Sequence, residues 1–448
     1  MMKRATKFFA VLLVSCSMIA ATACGSADKG TGSANQGQTG DKQGVKEITW
    51  YLHTQYGKEY FENDVIKPFE EQHPDIKINV TYNADPEQIT KSQLAAGAGP
   101  DIITTDGTTT LRQFAKAGYL VELDEFSKKY GWDQRFIPWA YPPVTIGDKL
   151  IGLPGKYETE LVYYNKKMFA DNGWDIPKSY EELVALSKKM TEIGIIPFAF
   201  GASDYRGANE WWLSMAYNAT LGPEKLKKVL SGELPWNGPE STEAVQKLVD
   251  LWKSGYINDK KSHAITGEDA TTLFLSGKAA MKMEGSWLLN TLSSKAGDMD
   301  WGIFPMPSWK EGVETNLPLA LGIAYGINAN SKNPDAVAEF LNYVTQADVA
   351  AKGIVAMGLQ PIKDLDLGAI PNLDKHYKEV SDLLADYGNR NATGYLSWTF
   401  WPAQTRVFSY DNLEAVFLDG MDIKSYMDKM EATYQEDKQS GKVFEFAK

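Results

Sequence analysis

Cysteine is nearly absent from this 448-residue chain, which holds two, too few for a disulfide-rich scaffold. Histidine is scarce as well: four residues, at 53, 73, 263 and 376, show no metal-ligand spacing. There is no Gly-x-Ser-x-Gly elbow and no Walker loop. Positive charge is in deficit, 46 Lys and Arg against 58 Asp and Glu, and the net charge of -12 argues against nucleic acid, whose phosphates require a basic face. No internal repeat and no β-sandwich patterning appear, which argues against an adhesin or a structural surface protein.

What is present begins at the N-terminus, where Lys3, Arg4 and Lys7 precede an apolar stretch of 14 residues, Phe8 to Ala21. That stretch is too short to span a bilayer comfortably. It ends in Ala21-Thr22-Ala23-Cys24, which resembles the lipobox of bacterial lipoproteins, with Ala21 where that motif prefers Leu. Residues 1–23 therefore read as a cleaved export signal and Cys24 as the lipidated end of the mature chain. Cys16 would leave with the signal, so stability has to come from burial. Residues 24–45 read as the lipidated cysteine and a flexible leash, Gly25 to Gly44 being mostly Gly, Ser, Asn, Gln and Thr with scattered charges and no large apolar side chain. The expected location is the outer face of the cytoplasmic membrane, with the leash favouring a Gram-positive surface. About 400 mature residues exceed what one core usually serves, so two domains are expected.

Beyond the leash the periodicity alternates between two and about 3.6. Ile48, Trp50 and Leu52 read as a strand, Phe61, Val65 and Phe69 as a helix, and Ile76, Ile78 and Val80 as a second strand, which implies a parallel unit. Asp101-Ile102-Ile103 reads as a buried strand before a helix around Leu111 to Ala117. Ser179 and Glu182 form a capping box for a helix presenting Leu183, Leu186 and Met190. A further helix carries Val245, Leu248 and Trp252 and stops at Gly255, and Asn333-Pro334 opens another. Alternating helices and strands imply an α/β class.

Several fragments, in order, carry a resemblance. They are Phe69 to Lys77 (FEEQHPDIK), Ala95 to Ile103 (AAGAGPDII), Phe114 to Leu120 (FAKAGYL), Gly147 to Pro154 (GDKLIGLP), Tyr163 to Lys167 (YYNKK), and Gly277 to Met281 (GKAAM) running into Gly285-Ser286-Trp287. Together they resemble the family 1 extracellular solute-binding proteins, relatives of maltose-binding protein. The resemblance implies a two-lobed α/β fold of periplasmic-binding-protein type II, with an interlobe cleft and several hinge crossings. The first crossing is expected in a segment like Tyr157 to Val162 and the return near Gly312. On that reading one lobe comprises 46–158 and 312–365, the other 159–311 and 366–448. It further implies a monomeric binding protein that is not an enzyme and holds no cofactor or metal. Its partners would be a mono- or oligosaccharide and the permease subunits of an ABC importer, and hinge closure would bury the sugar.

A sugar offers apolar ring faces and paired hydroxyls, so its site needs flat aromatics and planar carboxylate or amide groups; the 13 Trp and 22 Tyr are an ample supply of the former. The resemblance points to Trp287 as a stacking ring and to Trp401, or Trp398 in a shifted register, in the run closing over the ligand. Trp211 is expected to face the cleft rather than Trp212, because neighbours on a helix point in different directions. Glu158, six residues before Tyr164, matches a ligand-contacting glutamate of the family. Asp106 follows the third strand, at the carboxyl end where α/β sheets bind ligands. His53, Gln55 and Tyr56 follow the first strand in the same topological place, and Asp204 and Arg206 lie in a loop before Trp211. Asp101 reads as a turn or cap. Two other readings remain at this stage. An acidic or phosphorylated solute would put Arg206 or Arg406 in the cleft as an anion clamp. A surface glycosidase would need two carboxyl groups about 5 to 10 Å apart.

Overall fold

The computed structural model describes residues 44–54, 56–363 and 365–446. The export signal, Cys24, most of the leash and Gln55 lie outside the described residues. β1 (Lys46–His53) buries Ile48, Trp50 and Leu52 and pairs in parallel with β2 (Ile76–Asn83) along its whole length. Phe61, Val65 and Phe69 lie buried on the helix between them, whose first part, Tyr60–Ile66, has π-helical winding before the α-helix Lys67–Gln72. β3 (Ile102–Asp106) lies on the other side of β1.

β4 (Thr145–Ile146) and β5 (Lys149–Leu150) form a small separate hairpin. The remaining strands are β6 (Leu153–Asn165), β7 (Ile196–Phe198), β8 (Ala279–Gly285), β9 (Trp301–Phe304), β10 (Leu317–Ile327) and β11 (Thr393–Tyr395). The main sheet is mixed and has nine strands, in the order β2-β1-β3-β10-β6-β8-β7, with β11 beside β10 and β9 beside β6.

Strand β6 is the organising element. Its first half, Leu153 to Thr159, pairs antiparallel with β10, and its second half, from Glu160, pairs with β8 and β9. The partner therefore changes between Thr159 and Glu160 inside one continuous strand. The chain comes back between β9 and β10, through residues 305–316, where Gly312 takes a left-handed φ of 80°. One core gathers around Trp50, Phe61, Phe69, Ile323 and Phe340, and includes Tyr377 and Val380 of helix Lys375–Asn389. A second gathers helices Asn209–Leu230, Pro239–Lys253, Ala403–Phe417 and Ile423–Gln439 around Trp212, Trp236, Leu248 and Tyr426.

The local signals operate in particular ways. Ser179 accepts from the Glu182 backbone, but the Glu182 carboxylate reaches back to the amide of Lys178 rather than that of Ser179, so the expected capping box is open on one side. The reciprocal box stands instead at Thr266 and Asp269. Among the described residues no helix is long and apolar enough to cross a membrane.

Candidate functional site

Side chains alternate along a strand, so Lys156, Glu158 and Glu160 share one face of β6, spanning the point where its partner changes. All three are buried. Lys156 Nζ lies 2.6 Å from Glu158 Oε1, a close contact between two buried side chains. The Glu158 carboxyl lies over Gly322 of β10, where any β-carbon would strike it.

Next along that face, Glu160 stands opposite Gly285 of β8. The place a Gly285 side chain would take is filled by the indole of Trp287, so the ring lies beside Glu160. Trp287 Nε1 donates to Glu284 Oε1 at 2.9 Å, and Lys282 pairs with the other Glu284 oxygen at 2.7 Å, fixing the ring's edge. Trp211 and Trp398 complete an aromatic wall, their ring centroids 5.0 and 6.4 Å from that of Trp287. Tyr205 extends it, 6.2 Å from Trp211.

A second polar group gathers at the carboxyl end of β3. Asp106 is exposed and 3.9 Å from a guanidinium nitrogen of Arg406. Arg406 is itself engaged by the buried Glu210, at 2.8 and 2.6 Å in a bidentate pair. Burial alone would depress the guanidinium, but Glu210 outweighs it and holds Arg406 well above its ordinary value. Glu87 accepts from the Asp106 amide at 2.7 Å and from the Thr110 hydroxyl at 3.2 Å. Burial and the neighbouring Asp106 push its carboxyl up to about 7. Tyr56 lies in the same field, its phenol raised by burial and by Asp106 and Glu158, with its ring 6.0 Å from His53.

The expected residues thus divide. Trp287, Trp211 and Glu158 lie around the β6 face; Asp106, Tyr56 and His53 lie at the β3 end. Trp212 is core, edge-on to Phe198 at 5.2 Å. Trp401, expected in the run closing over the ligand, lies apart from this wall: it is 2 % exposed, packed edge-on against Trp236 at 5.6 Å and Tyr217 at 6.2 Å. The turn at Ser397–Thr399 sends Trp398 toward Trp287 and leaves Trp401 to enter the helical core at the start of Ala403–Phe417. Asp101 accepts from Thr49 and Ser331, a strand-to-strand clasp. Asp204 accepts from the Gly267 amide, at the start of helix Gly267–Leu275. The anion-clamp reading loses its geometry, because Arg406 is taken by Glu210 and Arg206 is an exposed side chain 4.0 Å from both Asp411 and Glu414. Sequence reasoning missed Lys156, Glu160, Glu87 and Glu210. For the first two a signal existed: charges two apart beside Glu158 share its strand face. Among the described residues no group of acidic, histidine or cysteine side chains is arranged to hold a metal ion.

Known proteins agree with this architecture. A chitin oligosaccharide binding protein superposes with a TM-score of 0.76 at 21% identity, covering 87% of this chain and 98% of its own, which shows the shared two-lobed fold. In sequence, a multiple sugar-binding protein of Streptococcus mutans is 23% identical over 338 residues, 70% of this chain and 77% of that protein. A galactooligosaccharide-binding protein of Bacillus subtilis is 24% identical over 350 residues, 75% of this chain and 76% of the relative. The family model described as bacterial extracellular solute-binding protein matches residues 53–351, most of the described chain, and the protein belongs to that family.

Proposed function

We propose that the protein captures a neutral mono- or oligosaccharide outside the cytoplasmic membrane and delivers it to the permease of an ABC importer. One observation carries the reading: at the point where β6 changes partner, a buried row of polar groups, Lys156, Glu158 and Glu160, adjoins a wall of rings, Trp287, Trp211 and Trp398. Rings stack on the apolar faces of a sugar while carboxylates take its hydroxyls, and hydrogen bonds to charged groups are worth about 1.5 to 3 kcal/mol each. The sugar-binding names of the relatives support the same class.

In the working mechanism the two lobes divide at Thr159–Glu160, where β6 changes partner, and again in 305–316, and close on the sugar as a hinge. Asp106 and Arg406, with Thr109 donating to the Thr399 carbonyl at 2.6 Å, meet across the cleft in the closed form. Cys24 carries the lipid and residues 24–45 the reach. The chain works as a monomer and breaks no bond in its ligand.

The test is a thermal-shift and calorimetric screen of the mature chain against neutral sugars, uronic acids and sugar phosphates. Binding raises stability by about 2.7 kcal/mol at a hundredfold excess over Kd. A rise with one neutral sugar family, recovered unchanged, supports the reading. A rise with anionic ligands alone defeats the neutral-sugar assignment, and a cleaved sugar defeats the binding-protein one.

A further inference from the structure

Glu160 is the one acid of the β6 face that the protein leaves unsatisfied. It is fully buried, and neither carboxylate oxygen has a partner within hydrogen-bond geometry, the nearby Ser214 hydroxyl donating instead to the Tyr395 carbonyl. Burial raises its carboxyl well above the ordinary range, Glu210 and Glu158 add to that, and the nearby Ser214 hydroxyl draws it back only in part. The cations around it are already matched: Lys156 to Glu158, Arg406 to Glu210 and Lys282 to Glu284. Native interiors rarely leave a buried acid without a donor, because the lost hydration is not replaced. A hydrophobic residue would be the more stable choice on this face, beside Trp287 and opposite Gly285.

We propose that Glu160 is a ligand-contacting and specificity-determining residue, which accepts hydrogen bonds from a donor-bearing edge of the sugar ring stacked on Trp287. The inference rests on the β6 face being the sugar site. Its chemistry is that of a donor pair, supplied either by adjacent hydroxyls or by a hydroxyl and a protonated amine. Since every nearby cation is paired, a carboxylate or phosphate on that edge would meet Glu160 with no compensating charge. Donors on the ligand would hold Glu160 in its charged form against that burial, and an acidic sugar, which brings a second negative charge and no donor there, is disfavoured. Glu160 was not among the residues that the family resemblance pointed to; it follows from the strand register together with its burial and unpaired oxygens.

The experiment compares wild type, Glu160→Gln and Glu160→Leu as mature full-length chains. Each is measured by thermal unfolding without ligand and by calorimetry with the neutral sugar that wild type binds, its uronic acid and its amino-sugar counterpart. Glu160→Leu should raise the ligand-free Tm and weaken the neutral sugar by about 10- to 100-fold, the worth of hydrogen bonds to a charged group. Glu160→Gln, which keeps one acceptor, should lose less. A wild-type preference for the amino sugar that disappears in Glu160→Gln identifies the amine as a donor; equal affinity for neutral and amino sugars identifies the hydroxyl pair. Unchanged affinity in Glu160→Leu, or in Glu160→Gln should the leucine variant not fold, overturns the inference and leaves Glu160 a strained core acid. So does a uronic acid binding wild type as tightly as the neutral sugar does. If wild type binds no saccharide at all, the proposed function fails first and this inference with it.

Discussion

At the scale of single residues, Trp287 separates a binding role from a packing role. Its ring is only partly buried, held by Glu284 and flanked by Trp211 and Trp398. Trp287→Ala should therefore weaken sugar binding by about 2 kcal/mol or more, roughly 30-fold in Kd, with a much smaller loss in urea-unfolding stability. A stability loss as large as the affinity loss would make Trp287 a core residue. Glu87 provides a pH test. Burial and Asp106 raise its carboxyl from 4.5 to about 7, so the folded chain keeps a proton that the unfolded chain releases. The resulting stability is full below about pH 4.5 and is lost as pH climbs through 7. Glu87→Gln should remove that slope, a difference on the order of 2 kcal/mol across the window, read from unfolding midpoints between pH 4 and 8. The family resemblance, rather than residue type alone, singled out Trp287 and Glu158. Sequence alone could not separate Trp398 from Trp401, because both belong to one aromatic run and only the turn at Ser397–Thr399 decides which buried ring meets Trp287 and which meets Trp236.

At the scale of elements, strands with one apolar face, such as β1, follow directly from the alternation of apolar residues along the chain. Strand β6 did not stand out because its periodicity is inverted: Lys156, Glu158 and Glu160 mark what looks like a solvent face, and that face is buried. Charge alternation normally means water; here the alternating charges are buried. The pairing of β6 with β10 depends on Gly322, which lies beneath the Glu158 carboxyl at a register shift between the two strands. Gly322→Ala should drive the carboxyl off Lys156 and overpack the joint, costing about 1 to 3 kcal/mol of stability. It should also reduce sugar affinity, whereas an alanine at Gly388, which has open space around it, should leave affinity unchanged. Calorimetry on the two variants checks this, and equal affinity in both would detach Glu158 from the ligand.

At the scale of the whole molecule, the last described residues tie the two cores together. Helix Thr108–Lys116 follows β3 and sends Leu111 into the first core, while Phe444 belongs to the second. Between them, Arg112 donates to the Glu445 carbonyl at 3.1 Å and lies 4.6 Å from the Phe444 ring centre; Lys116 pairs with Glu445 at 2.8 Å. Phe444 also packs on Phe400, in the loop just beyond Trp398, with ring centroids 4.9 Å apart. The Lys116–Glu445 pair is exposed and contributes little by itself, so the link rests on Arg112 and the rings. If the lobes close as proposed, this tail is a strap that favours the closed form before ligand arrives, and affinity scales with the fraction already closed. Phe444→Ala should then do two things: lower stability by about 2 to 4 kcal/mol through the lost ring, and raise the radius of gyration of the ligand-free chain in solution scattering while leaving the sugar-bound value unchanged. A stability loss with no change in the ligand-free radius would mean that the tail only seals the second core. A change confined to the ligand-free state would make the C-terminal strap part of the hinge.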